Sequence, residues 1–360
     1  MLKKSLKLSL IILIGLSLLF SAYVYLSAYH PDDIQSEHVF YLGETPELKA
    51  GQRIKILSWN IQFLAGNQDN HFFFDGGSDP WPPKSRIDKI LTEIAGILKE
   101  EDPDLILLQE VDDGSLRTYE RDQLQDLLGL LPQTYTCHTS AFYWKAWFIP
   151  HPAIMGSAGM KLSIISKYKI TRATRYALSP ITTQNIVMRQ FNPKRAMLEA
   201  LLPLSNGKFL HAVNTHLSAF AQGSDTMEKQ VSQVDQLLTQ ISRSGSVGFI
   251  GGDFNLIPPG EAYKRLSEYN KGYYNPSGTE IEILFKKYLS VPALADLVGD
   301  DYTKWYTNMV TNANPKIPDK TIDYIFFSPG SHADSYYVRS KNTIHISDHL
   351  PLVFYLTIPD

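Results

Sequence analysis

The run Leu105-Ile106-Leu107-Leu108 is apolar at every position, and Pro103-Asp104 breaks the chain just before it. A strand with one wet face alternates apolar and polar residues. A strand without alternation is buried on both faces and needs a layer packed on each side. Further segments read as strands: Arg53–Trp59, Lys161–Tyr168, Ala196–Leu204, Phe209–Leu217, Gly248–Phe254, Thr321–Phe327 and Leu350–Ile358. Some of these alternate, as in an antiparallel sheet, and Asn206-Gly207 between two of them predicts a hairpin.

Helical periodicity fills the gaps. Ser85 caps a predicted helix to about Lys99, with Ile87, Ile90, Leu91, Ile94 and Leu98 on one face. A second is expected within Tyr119–Leu131. A third runs from Asp225 to about Ser242, with Met227, Val231, Val234, Leu237, Leu238 and Ile241 on its apolar face. The architecture that satisfies this order is α/β: two packed, mixed β-sheets flanked by helices. With 44% hydrophobic and 20% charged residues, the 360-residue chain has enough apolar side chains for such a core.

The chain start differs. Lys3, Lys4 and Lys7 precede an uncharged apolar run from Leu8 to about Leu26. About twenty such residues cross a bilayer as a helix. A cleaved signal peptide needs small residues at −3 and −1. Ala22 and Ala28 suit −1, but Phe20 and Leu26 then occupy −3. The expectation is an uncleaved, single-pass signal anchor over residues 1–29, with the N-terminus cytoplasmic and the rest extracytoplasmic; cleavage would make the remainder a secreted protein. Residues 30–50 read as a linker and 51–360 as one large domain. The single Cys137 excludes an internal disulfide and a cysteine-based zinc site. A net charge of −3, more negative still without the three anchor lysines, weighs against a duplex-binding surface.

The strand ends carry the chemistry. The predicted strands stop at Asn60, Glu110, His216, and Asp253 with Asn255; Asp323 follows Thr321-Ile322, and a loop before the last strand holds Ser347-Asp348-His349. Each residue alone has a structural excuse, as a turn, a cap or a surface acid. Together they are carboxylates, carboxamides and imidazoles at the places where packed sheets gather groups into a cleft. Carboxylates with an amide oxygen suit magnesium, and histidines hold phosphate or move protons.

The ordered set SWN (58–60), LLQEV (107–111), NTHL (214–217), GGDFN (251–255), TIDYIFF (321–327) and SDHLPL (347–352) resembles the endonuclease/exonuclease/phosphatase superfamily, the DNase I-like group. The resemblance spans about Arg53 to Ile358 and implies a four-layered α/β sandwich, with 51–360 as its catalytic domain. It also implies a metal-dependent phosphoric ester hydrolase using magnesium, or manganese. By the resemblance, Glu110 is the main metal ligand, with Asn60 and Asp348. Asp253 orients or deprotonates the attacking water. Asn255 and His216 hold phosphate oxygens. His349 binds phosphate or shuttles a proton, and Asp323 holds its ring in one tautomer. Asn214, in the same motif as His216, and the basic Lys161, Arg189 and Arg195 are candidate substrate contacts.

The anchor and the acidic balance favour a lipid head group or related small phosphodiester over nucleic acid, with the membrane as the only expected partner besides substrate. The alternatives are an exported DNase I-like nuclease and a catalytically inactive phosphate-binding module. Two aromatic stretches, His71–Phe74 and Phe142–Pro150, read first as core and second as lipid-facing. The long loop Asn67–Pro83 is expected to shape the substrate pocket.

Overall fold

The computed structural model describes residues 2–67, 81–219, 221, 223–310 and 316–359. The aromatic stretch 71–74 and all but the ends of the loop 67–83 lie outside the described residues.

Five helices matter here: α1 (Leu2–Ser27), α2 (Lys84–Glu101), α3 (Gln123–Leu128), α4 (Ile186–Phe191) and α5 (Thr226–Arg243). The strands, in chain order, are β1 (Ile34–Glu37), β2 (Val39–Tyr41), β3 (Arg53–Asn60), β4 (Leu105–Asp112), β5 (Cys137–Ile149), β6 (Gly156–Ser166) and β7 (Arg172–Ala177). They continue with β8 (Ala196–Pro203), β9 (Phe209–His216), β10 (Val247–Asp253), β11 (Ser290–Val291), β12 (Asp323–Phe327), β13 (Ala333–Val338) and β14 (Leu352–Thr357). Among the described residues they form two mixed sheets, ordered β1-β7-β8-β9-β10-β12-β11 and β13-β14-β3-β4-β6-β5-β2.

The apolar strand β4 shows why the layers are needed. Leu105 and Leu107 point into the core between the sheets, beside Ile56, Leu198, Phe249 and Phe354. Ile106 and Leu108 point the other way, onto Ile87, Ile90, Ile94 and Leu98 of α2. On the far sheet, Val213, Ile250 and Phe326 meet Val231, Val234 and Leu238 of α5. The stack is helix, sheet, sheet, helix. Each such aliphatic side chain contributes about 1.5–3 kcal/mol by leaving water.

Three local expectations are corrected. Helix α2 starts at Lys84, after an extended Pro83, and no side chain caps it; Ser85 lies inside the first turn. The helix expected over Tyr119–Leu131 is confined to α3. Tyr119 and Glu120 have positive φ, and Asp122 accepts from Leu124 N and Gln125 N at 3.1 and 3.3 Å, so the helix begins there. The segment 30–50, expected as a linker, is woven into both sheets: β1 pairs with β7 and β2 with β5, both antiparallel. These short strands cover sheet edges that would otherwise expose unpaired backbone.

Within α1, Lys4–Ser27 is long and apolar enough to cross a membrane, and nearly all of its side chains are exposed. Only its last turn docks, with Val24 packed among Ala146, Ile149 and Phe191.

Candidate active site

Strand register builds the site. On β9 and β10, which run parallel, His216 lies opposite Asp253. On the antiparallel β12, Asp323 lies opposite the same Asp253. Three distant residues thus stand side by side across neighbouring strands. This needs β10 to lie very close to β9. Gly252 permits it: φ is +140°, and a Cβ there would sit 2.0 Å from Thr215 O. The glycines of GGDFN therefore serve strand packing behind the acid they deliver.

In the second sheet, β3 and β4 run parallel; β3 ends at Asn60, and Glu110 stands two residues before the last residue of β4, Asp112. The register between β4 and β6 breaks between Leu108 and Val111. Glu110 lies in that bulge with φ +56°, a left-handed conformation costly for a side-chain-bearing residue. The bulge takes Glu110 out of the ladder and brings its carboxylate to the other strand ends: Asn60 Nδ2 donates to Glu110 Oε1 at 3.2 Å, and His216 Nε2 is 4.0 Å from the same oxygen.

Asp253 Oδ2 is the hub. Asn60 Nδ2 donates to it at 3.1 Å, His216 Nε2 lies 3.3 Å away and His349 Nε2 3.5 Å away. Its other oxygen, Oδ1, accepts the Asn255 backbone N–H at 2.9 Å. Asn255 itself has φ +51°, and its side-chain amide donates to Leu217 O at 3.2 Å. On the far side of His349, Nδ1 lies 2.9 and 3.1 Å from the two oxygens of Asp323. Ser347 supports this loop: its hydroxyl donates to Asn60 O at 2.8 Å and accepts His349 N–H at 3.1 Å. Trp59 Nε1 donates to His349 O at 2.9 Å. Asp348 follows Ser347, whose hydroxyl is 3.4 Å from Asp348 Oδ1.

The two imidazoles are in opposite states. Burial alone would discharge His349, but the carboxylates of Asp323 and Asp253, with Asp348 beside them, hold it cationic well above its ordinary range. His216 is held neutral by burial and by the neighbouring Arg195 and His349 cations. Burial pushes the Asp253 carboxyl above its ordinary value, with His349⁺ opposing and Asp323 adding to the rise.

Tyr143 completes the arrangement and was not singled out as a site residue from sequence. Its hydroxyl lies 3.3 Å from His216 Nδ1, with the rings edge to face, and burial keeps the phenol protonated. The phenol O–H has two acceptors within reach, Met160 Sδ and His216 Nδ1; donated to Nδ1, it leaves Nε2–H of His216 directed at Asp253. Tyr143 is the extra residue of a bulge, since Phe142 pairs with Lys161 and Trp144 with the next residue back, Met160. An aromatic run alone carries no sign of where such a bulge ends the inward alternation of Cys137, Ala141 and Tyr143.

Four sequence expectations differ in detail or fail. Asn60 presents its amide nitrogen, not its oxygen, to the two acids, because its Oδ1 accepts the Gln62 backbone N–H at 3.0 Å. As placed it bridges the acids instead of ligating a cation with them. Asn214 is fully enclosed: it accepts from Gln109 Nε2 at 2.7 Å and donates to Leu108 O and Ser163 O at 2.8 and 3.0 Å. It fastens the sheets together and has no face toward a substrate. Lys161 is buried in ion pairs with Asp113 and Asp122 at 2.9 and 3.1 Å. Arg189 donates to Gln184 O and Thr182 O, bracing the chain before α4. Arg195, by contrast, lies at the site, 5.1 Å over the Tyr143 ring, with a buried Nη1 that has no hydrogen-bond partner.

Residues 57–349 match the family model described as the endonuclease/exonuclease/phosphatase family, and the chain belongs to that family. It is accordingly an enzyme of the metal-dependent phosphoric ester hydrolase class. No curated protein matches the chain. Among solved structures, an endonuclease/exonuclease/phosphatase from Beutenbergia cavernae is similar with TM-score 0.57 and 17% identity, covering 86% of this chain and 72% of that one. The human Nocturnin catalytic domain, solved with a bound sulfate anion, aligns with TM-score 0.52 and 18% identity over 89% of this chain and 97% of its own. A family member from Bacteroides vulgatus gives TM-score 0.52 and 16% identity, over 85% and 99%. At these identities the likeness is one of fold.

The donor set fits a divalent cation. Asp253, Asp323 and His349 bring one ligand atom each within 4.8 Å of one another. The Asp323–His349 contact, however, is a hydrogen bond with a proton between its partners. Glu110 is the least enclosed acid of the three strand-end carboxylates, with its side chain 21% exposed against 2% for Asp253 and 5% for Asp323. A hard cation takes carboxylate oxygens, and Glu110 keeps its own the most accessible of the three.

Proposed function

We propose that this chain is a membrane-anchored phosphodiesterase that hydrolyses a phospholipid head group or a related small phosphodiester by metal-assisted attack of water. The observation that carries the chemistry is the convergence of His216 Nε2, His349 Nε2 and Asn60 Nδ2 on Asp253 Oδ2. Asp253, its pKa raised by burial, is suited to accept a proton from water held at Oδ2. The cationic His349 directs Nε2–H, and the neutral His216 its Nε2–H, toward the same point. Oxygens of a phosphodiester entering there meet two N–H donors and the Arg195 guanidinium. Glu110, with Asp348 as a further carboxylate, would hold magnesium or manganese, which would supply charge neutralisation to the phosphodiester.

The lipid preference rests on α1, whose apolar span and exposed sides suit a bilayer. The lysines at its start favour a cytoplasmic N-terminus and an extracytoplasmic catalytic domain over 51–360, preceded by the segment 30–50. The net charge of −3 supports a small or lipid diester over duplex nucleic acid.

The test is a substrate panel. Full-length enzyme with magnesium is offered phospholipid vesicles, an aryl phosphodiester and plasmid DNA, beside Asp253→Ala. Vesicle phospholipid and aryl diester turnover, abolished in the folded variant, is expected. Cleavage of DNA alone overturns the lipid reading. No turnover of any diester, with no magnesium binding, indicates a phosphate-binding module.

A further inference from the structure

Beyond the docked last turn of α1, an unpartnered apolar surface surrounds the point where this helix meets the catalytic domain. Trp147 on β5 is 74% exposed and Ile186 on α4 is 77% exposed. Met155, in the turn joining β5 to β6, and Val187 and Met188 on α4 are also exposed. These elements pack around one another: Tyr23 donates to Phe148 O at 3.0 Å, Ala28 bridges to Ala146, and Trp144 Nε1 donates to Phe191 O at 2.6 Å. The elements that carry these exposed side chains therefore pack against the end of the apolar helix.

We propose that this patch inserts into the interfacial layer of the bilayer that α1 crosses, and that it holds the active-site mouth at the phospholipid head groups. The inference rests on the reading of α1 as a membrane span. Three features of the chain favour lipid over a second copy as the occupant. The patch borders the helix on which it depends. Lys145 is exposed beside Trp147 on β5, the pairing of a flat amphipathic ring with a long cation that suits the head-group boundary. Its apolar members come from the end of β5, the turn after it and the six-residue α4, so no single element presents the long apolar face on which two copies would pair.

The same elements lead to the active site. Four residues along β5 from Trp147 stands Tyr143, about 13 Å away at strand rise, against His216. The chain leaving α4 reaches Arg195 over the Tyr143 ring. An interfacial element sinks about 5–10 Å into the head-group boundary. A phosphodiester of the head-group layer then lies level with Arg195 and His216 without leaving the membrane.

The test uses the full chain in vesicles of phosphatidylcholine and phosphatidylglycerol. Flotation reports anchoring on its own. Trp147→Cys and Ile186→Cys, in a chain whose native Cys137 is buried, carry an environment-sensitive dye. Blue-shifted emission, quenched roughly two-fold or more by brominated acyl chains, is expected at both positions. Water-like, unquenched dye on a floating chain overturns the docking while leaving the anchor intact. A blue shift without lipid quenching shows a protein neighbour on the patch and also overturns it. A chain that does not float removes both the anchor and the docking. In parallel, the triple variant Trp147→Ser, Ile186→Ser, Met188→Ser is expected to lose roughly ten-fold in vesicle turnover and nothing on the soluble aryl diester, which also reports its folding. Unchanged vesicle turnover in that variant overturns the delivery role. Quenched dye with no phospholipid hydrolysis by the parent enzyme sinks the lipid-substrate reading alone.

Discussion

His349 Nδ1 sits 2.9 Å from Asp323 Oδ2, while Nε2 of the same ring faces Asp253 Oδ2 at 3.5 Å. One imidazole is thus tied by a structural acid and aimed at a reactive one. The tie fixes the ring and holds its charge.

Asp323→Asn keeps the shape of that contact and removes the charge. Turnover should fall by about 10²–10⁴-fold, the range for mis-set catalytic imidazoles. Asp323 raises the His349 pKa, so the alkaline limb of the pH–rate profile should also move to lower pH. An unmoved limb would show that Asp323 serves structure alone.

The acid limb belongs to Asp253. Its carboxyl is raised by burial, and the proposed role needs it ionised. Activity should therefore decline as pH falls through a value above the ordinary carboxylate range near 4. A kcat/KM profile on the aryl diester measures this. A limb at or below that range would separate Asp253 from proton transfer.

Glu110 stands in a strained bulge with its carboxylate open to the cleft. Chelator treatment should abolish turnover, and magnesium or manganese should restore it. Glu110→Gln should raise the metal concentration for half-maximal activity roughly ten- to a hundred-fold. Titration calorimetry with magnesium alone checks the same change without turnover. An unaltered metal dependence would place the cation elsewhere, on the Asp253, Asp323 and His349 group.

The Tyr143 hydroxyl faces Nδ1 of a neutral His216, with Met160 Sδ as its other acceptor, and donation to Nδ1 would set the tautomer of that ring. Tyr143→Phe keeps the ring and loses one hydrogen bond, so a roughly three- to ten-fold loss of kcat is expected with little change in stability. The imidazole nitrogen shifts of His216 in an NMR spectrum should report a mixed tautomer. A fully retained Nε2–H form would remove the positioning role.

Asn214 tests the opposite case, a motif residue whose work is structural. Asn214→Ala leaves Gln109 Nε2, Leu108 O and Ser163 O short of a buried partner. The cost should be about 2–5 kcal/mol in denaturant unfolding. A variant of normal stability with weakened substrate binding would return Asn214 to the binding surface.

The residues by themselves determined the layered plan and most of the site. The non-alternating LILL run demands cover on both faces, and it has it. Asn60, His216 and Asp253 were legible because each ends its strand, and Asp323 because it opens one; Glu110 stands two residues inside the end of β4 and His349 in the loop before β14, and parallel or paired strands bring such ends together. Tertiary structure decided the rest, since a side chain's partners are chosen across the fold and not along the chain. Lys161 and Arg189 look in sequence like Arg195, yet two partly exposed acids hold the first and loop carbonyls the second, and only Arg195 reaches the site. Asn60 turned its nitrogen to the acids because the Gln62 backbone claimed its oxygen. Tyr143 keeps the inward course of Cys137 and Ala141, and the bulge beside it turns Lys145 and Trp147 of the same parity out. A one-residue slip in a strand exchanges its faces, and nothing local in the sequence announces where that slip occurs.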